Sequence, residues 1–226
     1  MKRTVLCLLA LILLAAPSTI ADDFFNWITG RDCVRGSGDL VTEERDVRDF
    51  TRIETRGAVD IFVTVGESRK LSLTFDDNLI DLIETNVRGK TLKITSERSY
   101  SSRRACKIEI SVPQLEEVRV TGSGDVEIYN LSGDYFEFTV SGSGDMRAEG
   151  EIEELDIRVS GSGDVDTRDV VAQEANVKIS GSGDVKVFAE EEFYGRVSGS
   201  GDIDVYGNPE HLSRHVSGSG DIRKRR

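Results

Sequence analysis

Hydrophobic and polar residues alternate one for one over long stretches of this chain. Val118-Arg119-Val120, Val126-Glu127-Ile128, Ile157-Arg158-Val159, Val177-Lys178-Ile179 and Val185-Lys186-Val187 all keep a two-residue period. Successive side chains of an extended strand point to opposite faces, so this period predicts strands with one buried and one wet face. The same reading places strands at Val59 to Val65, Lys70 to Phe75, Thr91 to Ile94 and Lys107 to Val112. Turn signals stand at Gly66-Glu67-Ser68 and Arg88-Gly89-Lys90. Asp77-Asn78, ahead of Leu79-Ile80-Asp81-Leu82, reads as the cap of one helical turn. The chain is expected to be all-β.

A repeat overlies this pattern. Gly-Ser-Gly-Asp recurs with its aspartates at Asp125, Asp145, Asp164, Asp184, Asp202 and Asp221, in steps of 20, 19, 20, 18 and 19 residues. A further copy, Gly36 to Asp39, stands alone. Two short strands in under 20 residues cannot bury an apolar face unaided, so successive units must stack. The economical solution is a parallel β-helix or related β-solenoid with coils of about 19–20 residues.

Stacking in register would set equivalent outward residues about 4.8 Å apart. The residue two after each aspartate reads Glu127, Arg147, Asp166, Lys186, Asp204, Arg223, alternating in sign at every step. Opposite charges one strand apart attract and like charges repel, so the order supports in-register stacking. A second outward column reads Arg119, Thr139, Arg158, Lys178, Arg196, His215 and is mainly basic. It has two readings: a charged face that discourages pairing with other sheets, or a linear groove for an anionic polymer. The stacked aspartates pose a similar choice. Adjacent carboxylates at that spacing repel by about 1 kcal/mol even in water. The repulsion is offset either by backbone N–H groups of each aspartate's own turn, which the flanking glycines leave open, or by Ca²⁺ held between coils on Asp125, Asp145, Asp164, Asp184, Asp202 and Asp221.

The N-terminus changes the picture of compartment. Lys2 and Arg3, an apolar run from Val5 to Ala16 and the small-residue ending Thr19-Ile20-Ala21 form the layout of a secretory signal peptide, residues 1–21. The run is shorter than the roughly 20 residues a bilayer span needs, and no later segment reads as transmembrane. Export leads to a compartment where disulfides persist, and Cys33 and Cys106 either pair or stay as two thiols. Neither has a ligand-spaced neighbour for a metal. Removing 1–21 takes two cations and no acid, moving the net charge from −12 to −14. So acidic a chain argues against nucleic acid as a partner. The basic end, Arg223 to Arg226, reads as a solvated tail or an anion site. Phe24, Phe25, Trp27 and Ile28 form an apolar group in a segment, 22–35, that is expected to cap the first coil or else meet a membrane surface or a partner.

Taken together, Gly36-Ser37-Gly38-Asp39, Phe50-Thr51-Arg52-Ile53, Gly57-Ala58-Val59-Asp60-Ile61, Asp76-Asp77-Asn78-Leu79, Gly89-Lys90-Thr91-Leu92 and the later repeat resemble the bacterial family called putative auto-transporter adhesin, head GIN domain. The resemblance spans nearly all of the chain after residue 21. It implies a right-handed β-helix, export to the periplasm or cell surface of a bacterium, and adhesion to an envelope or surface protein or glycan, with no catalytic residues. One domain, 36–226, is expected, with a less regular half, 36–117, and a regular half, 118–226. The competing reading is an enzyme acting on an anionic polysaccharide. An active site needs a place where the repeat breaks into a unique constellation, and the charged columns repeat almost unchanged. Binding residues are then expected in the basic column, at Arg119, Arg158, Lys178 and Arg196, with no cofactor unless Ca²⁺.

Overall fold

The computed structural model describes residues 33–225. The signal-peptide segment, the group from Phe24 to Ile28 and Arg226 lie outside the described residues.

Eighteen strands follow in chain order: β1 (Val34–Arg35), β2 (Leu40–Glu44), β3 (Arg52–Gly57), β4 (Asp60–Val65), β5 (Lys70–Asp76), β6 (Ile83–Arg88), β7 (Thr91–Ser96), β8 (Tyr100–Ser101), β9 (Lys107–Val112), β10 (Glu117–Gly122), β11 (Val126–Leu131), β12 (Tyr135–Val140), β13 (Met146–Val159), β14 (Val165–Ile179), β15 (Val185–Val197), β16 (Ile203–Tyr206), β17 (His211–Val216) and β18 (Ile222–Lys224). One 3-10 turn, Ile80–Leu82, interrupts them. It begins at Leu79 with no side-chain cap, so Asp77 and Asn78 do not cap it as expected. They are engaged elsewhere, as described below.

β1 and β8 pair alone, and the other 16 strands form one sheet. The right-handed parallel β-helix or β-solenoid expected from the repeat is corrected by this sheet's topology. Its unbroken path runs through eleven strands in mixed order, β2-β5-β9-β4-β11-β13-β12-β10-β3-β7-β6, and β14 to β18 branch from β13. The sheet curls back on itself as a half-barrel. Three of its pairings, β2 with β5, β5 with β9 and β6 with β7, are antiparallel. All three lie in the first half of the chain, and the connection from β6 to β7 is too short for a parallel crossover. Gly89, at φ 62°, makes the tight reversal between β6 and β7.

Within the second half the pairing is parallel and in register, as the alternation required. Interior columns run through it, such as Ile53, Val118, Phe138, Ile157, Val177. All five are at most 1% exposed, each contributing about 1.5–3 kcal/mol of apolar burial. The next member is Gly195. A Cβ there would run into the ring of Phe193, so the glycine makes room for the larger side chain. The member after that is Arg214, whose guanidinium donates to the Ile222 carbonyl at 3.0 Å. In the neighbouring column Val187 and Val205 lead to Lys224, which donates to the Pro209 carbonyl at 3.4 Å. Two cations thus occupy apolar columns at the outer edge strands, a device that blunts an exposed edge.

Candidate functional site

The turns between the two runs of strands stack directly. Ser143 N–H donates to Gly122 O, Ser162 to Gly142 O, Ser182 to Gly161 O, Ser200 to Gly181 O and Ser219 to Gly199 O, all at 2.8–2.9 Å. A Cβ on Gly142, Gly161, Gly181, Gly199 or Gly218 would overlap the glycine carbonyl one turn earlier. The serial glycines are therefore required by close backbone approach. Among them only Gly122 has positive φ, so conformational freedom is a lesser part of the reason than the sequence implied.

The aspartates form a ladder. Asp145 N–H donates to Asp125 Oδ1, Asp164 to Asp145, Asp184 to Asp164, Asp202 to Asp184 and Asp221 to Asp202, at 2.7–2.8 Å. The carboxylates from Asp125 to Asp202 accept from the following turn, which corrects the expected partner while keeping the expected kind of offset; Asp221, last in the ladder, accepts from the Ile222 N–H beside it at 2.8 Å. A charge-assisted bond of this sort contributes about 1.5–3 kcal/mol when shielded and less when exposed, enough to match a repulsion of about 1 kcal/mol. At its base the ladder rests on Asp60, whose Oδ1 accepts from Asp125 N–H at 3.2 Å. Gly122 lies on Gly57 and Gly124 on Val59, so Gly57-Ala58-Val59-Asp60 fills the first place in the stack. Among the described residues no group of three or more His, Cys, Asp or Glu converges as a metal-ligand set.

The isolated copy does something else. Asp76 is fully buried, and its Oδ1 accepts from Gly38 N–H at 2.5 Å. Ser37 Oγ donates to Asp77 Oδ1 at 2.6 Å and Ser37 N–H to Asn78 Oδ1 at 2.9 Å. Asn78 Nδ2 returns to Arg35 O at 2.9 Å, and Arg104 Nε reaches Gly38 O at 3.1 Å. A hydrogen bond from Ser102, aided by the Gly38 N–H and opposed by burial, holds the Asp76 carboxyl below its usual range. Cys106, half-buried, points its thiol at Asp76 Oδ2 over 3.8 Å. Cys33 is exposed, and both cysteines are free thiols here. Sequence reasoning missed this cluster because Asp76-Asp77-Asn78 carries the same residue types as a helix cap.

The two outward columns are in register as expected. Glu127, Arg147, Asp166, Lys186, Asp204 and Arg223 are direct neighbours on β11, β13, β14, β15, β16 and β18. Asp166 is held down mainly by Arg168 on its own strand, at 2.6 Å, with Lys186 adding to the pull. In the basic column Arg119, Thr139, Arg158, Lys178, Arg196 and His215 likewise succeed one another. The structure splits that column in two. Arg119 pairs with Glu117 at 2.5 Å, and Arg158 pairs with Asp156 at 2.8 Å and with Glu137. Lys178 and Arg196 have no ion-pair partner among the described residues.

Around Arg158 lies a cluster the sequence did not single out. Tyr135 donates its hydroxyl towards Glu137 Oε2 and Asp156 Oδ2, at 3.1 and 3.2 Å. Burial beside these carboxylates pushes the tyrosine well above its usual range. Burial works to raise Glu137 too, but bonds from Arg158, Tyr135 and Thr139 prevail and hold it low. Glu137 is thereby kept ionised. Glycoside cleavage instead needs one of a pair raised enough to act as an acid.

Residues 49–209 match the family model described as putative auto-transporter adhesin, head GIN domain. No curated protein matches the chain. A crystal structure of a putative adhesin from Bacteroides fragilis superposes with TM-score 0.70 at 24% identity, covering 85% of this chain and 100% of that one. One of a putative lipid binding protein from Parabacteroides distasonis gives TM-score 0.57 at 26% identity, covering 86% and 100%. Another putative adhesin from Parabacteroides distasonis gives 0.53 at 19% identity over 86% and 100%. These structures share the fold.

Proposed function

Since the chain belongs to the head GIN domain family, we propose that it serves as an exported, non-enzymatic interaction module of a bacterial envelope or surface. The observation that carries this reading is the exterior. It consists of charged residues in straight columns on a stiff, fully packed sheet, which is a form suited to presenting contacts. The interior offers no comparable room, since its columns are filled with side chains exposed by no more than a few per cent. A partner would therefore dock on the outside. The family's description as an adhesin head domain supports adhesion as the kind of interaction. The signal-peptide layout at residues 1–21 supports export, and among the described residues no helix is long and apolar enough to cross a membrane.

The test is a binding screen of the purified protein against glycans, envelope fractions and lipid vesicles, run beside a timed assay for product release from the same glycans. Saturable retention without product is the expected result. Release of oligosaccharide with time would replace the module by an enzyme, and no retention by any of the three would end the adhesion reading. Retention by vesicles alone would favour the lipid-binding description of the Parabacteroides relative.

A further inference from the structure

Resting on that reading of the exterior, we propose that Lys178, Arg196 and His215, with Tyr194 beside them, form a strip that binds a linear acidic polysaccharide. The basic column changes character part of the way along the stack. Its flanking outward column runs Glu117, Glu137, Asp156 on β10, β12 and β13, and then Asn176, Tyr194, Ser213 on β14, β15 and β17. The acids give out at the rung where the basic column becomes Lys178, Arg196 and His215. On the other flank, two residues along on the same face, stand Ser180, Ser198 and Ser217, exposed residues of which the first two donate their hydroxyls to the carbonyls of Val159 and Ile179. Over three rungs, then, a row of exposed basic side chains is bordered by neutral hydrogen-bonding groups on both sides, and its lysine and arginine are unpaired among the described residues. Charges left uncompensated on an otherwise acidic protein attract an anion to that place and repel it elsewhere.

The shape of the strip selects among anions. Its rungs are about 4.8 Å apart, on the order of the length of one sugar in an extended glycan, so anionic groups carried along a chain meet successive cations. Tyr194 is 45% exposed, and its hydroxyl is fixed by Glu192 at 2.6 Å. The ring therefore stands as a rigid apolar surface beside Arg196, suited to stacking on a pyranose face. Beyond it the next outward column reads Glu154, Glu174, Glu192 and then His211, acidic beside Lys178 and Arg196 and not beside His215. Along those two rungs the acids limit the cationic area to the width of one chain. A membrane surface would press its headgroups against those carboxylates, and a nucleic-acid duplex would do the same, so a single extended polysaccharide is the occupant that fits.

The experiment titrates the protein with hexagalacturonate and with dextran sulfate, using neutral dextran and phosphatidylglycerol vesicles as comparison arms, at two salt concentrations. K178Q/R196Q is expected to lose at least about tenfold in affinity and part of the salt dependence. Y194A should weaken binding of the hexasaccharide with the salt dependence intact. R147Q/K186Q, the same change of charge on the other side of the turn, should bind as the parent does. Equal thermal melts establish that the variants are folded. If both charge doubles lose affinity alike, or neither does, the strip is overturned. Binding of vesicles without acidic glycans overturns it in favour of a membrane. If the parent binds neutral glycans or envelope fractions but no acidic glycan, the strip fails while the interaction module stands. If it binds nothing, both fail.

Discussion

The same tetrapeptide, Gly-Ser-Gly-Asp, occupies two unlike settings in this molecule. From Gly122 onward it stacks turn on turn, each aspartate joined to the next through a backbone N–H. At Gly36 to Asp39 it wraps instead around a buried carboxylate, that of Asp76, and pairs its serine with Asp77 and Asn78. Meanwhile the first place in the stack is taken by Gly57-Ala58-Val59-Asp60, which lacks the serine and the second glycine. The motif is thus neither sufficient nor necessary for the stack. What it supplies is a slim, open turn with a carboxylate at its end. The surroundings decide whether the turn meets a copy of itself or a different partner.

The sharpest way to break this comparison is an alanine at equivalent glycines. Gly163→Ala places a methyl group on the Gly144 carbonyl and should destabilise by about 3 kcal/mol or more, read as a fall in the denaturant midpoint. Gly38→Ala meets open space and suffers only from its φ of 97°, so a cost of about 1 kcal/mol is expected. Equal losses would mean that the two copies are constrained alike.

Next in size is Asp76→Ala, which leaves Gly38 N–H and Ser102 without their acceptor. Hydrogen exchange of residues 36–39 should accelerate while the amides of the aspartate ladder keep their protection. Loss of protection in both places would show one cooperative unit. Acid should imitate the same change. The Asp76 carboxyl is lowered in the folded state, so its stabilising contribution is fully present above the ordinary carboxylate value of about 3.9 and disappears as pH falls through the lower folded value. Protection of 36–39 is therefore expected to be level between about pH 7 and 5 and to fall below about 4. A decline near neutrality would assign the clamp to another group.

The smallest effect belongs to Asp164→Asn. The amide keeps an oxygen for the Asp184 N–H and removes a charge from between two like charges, so stability should stay within about 0.5 kcal/mol of the parent. If this variant instead melts well below the parent, and added Ca²⁺ raises the parent alone, the aspartates hold metal.

Much of this could be read from residues alone, and the failures have physical causes. In the first half strand positions came out within a residue or two, with Lys107 to Val112 matching β9 in full, because a two-residue period has only one structural meaning at that length, whereas in the second half the short strands expected on either side of the return run together as β13, β14 and β15. The columns from Glu127 to Arg223 and from Arg119 to His215 were legible because near-identical repeats leave in-register stacking as the only alignment that buries every apolar face. The basic column, however, reads in sequence only as mainly basic, with acids such as Glu137 and Asp156 nearby. Arg119 and Arg158 are neutralised by Glu117, Glu137 and Asp156, and only three-dimensional neighbours reveal that Lys178 and Arg196 are not. Arg214 and Lys224 were likewise invisible as inward residues, since in sequence they look like ordinary members of a basic tail.

By itself, then, the sequence determined an all-β chain, its strands, its register and the sign of each outward position. These follow from periodicities within one or two coils, where each residue's neighbours are set by counting. Tertiary structure alone decided the mixed strand order, the antiparallel pairings of the first half, the place of the isolated turn and the division of the basic column. Those depend on contacts such as Gly38 with Asp76, 38 residues apart, and their energies depend on burial and on which charges end up side by side.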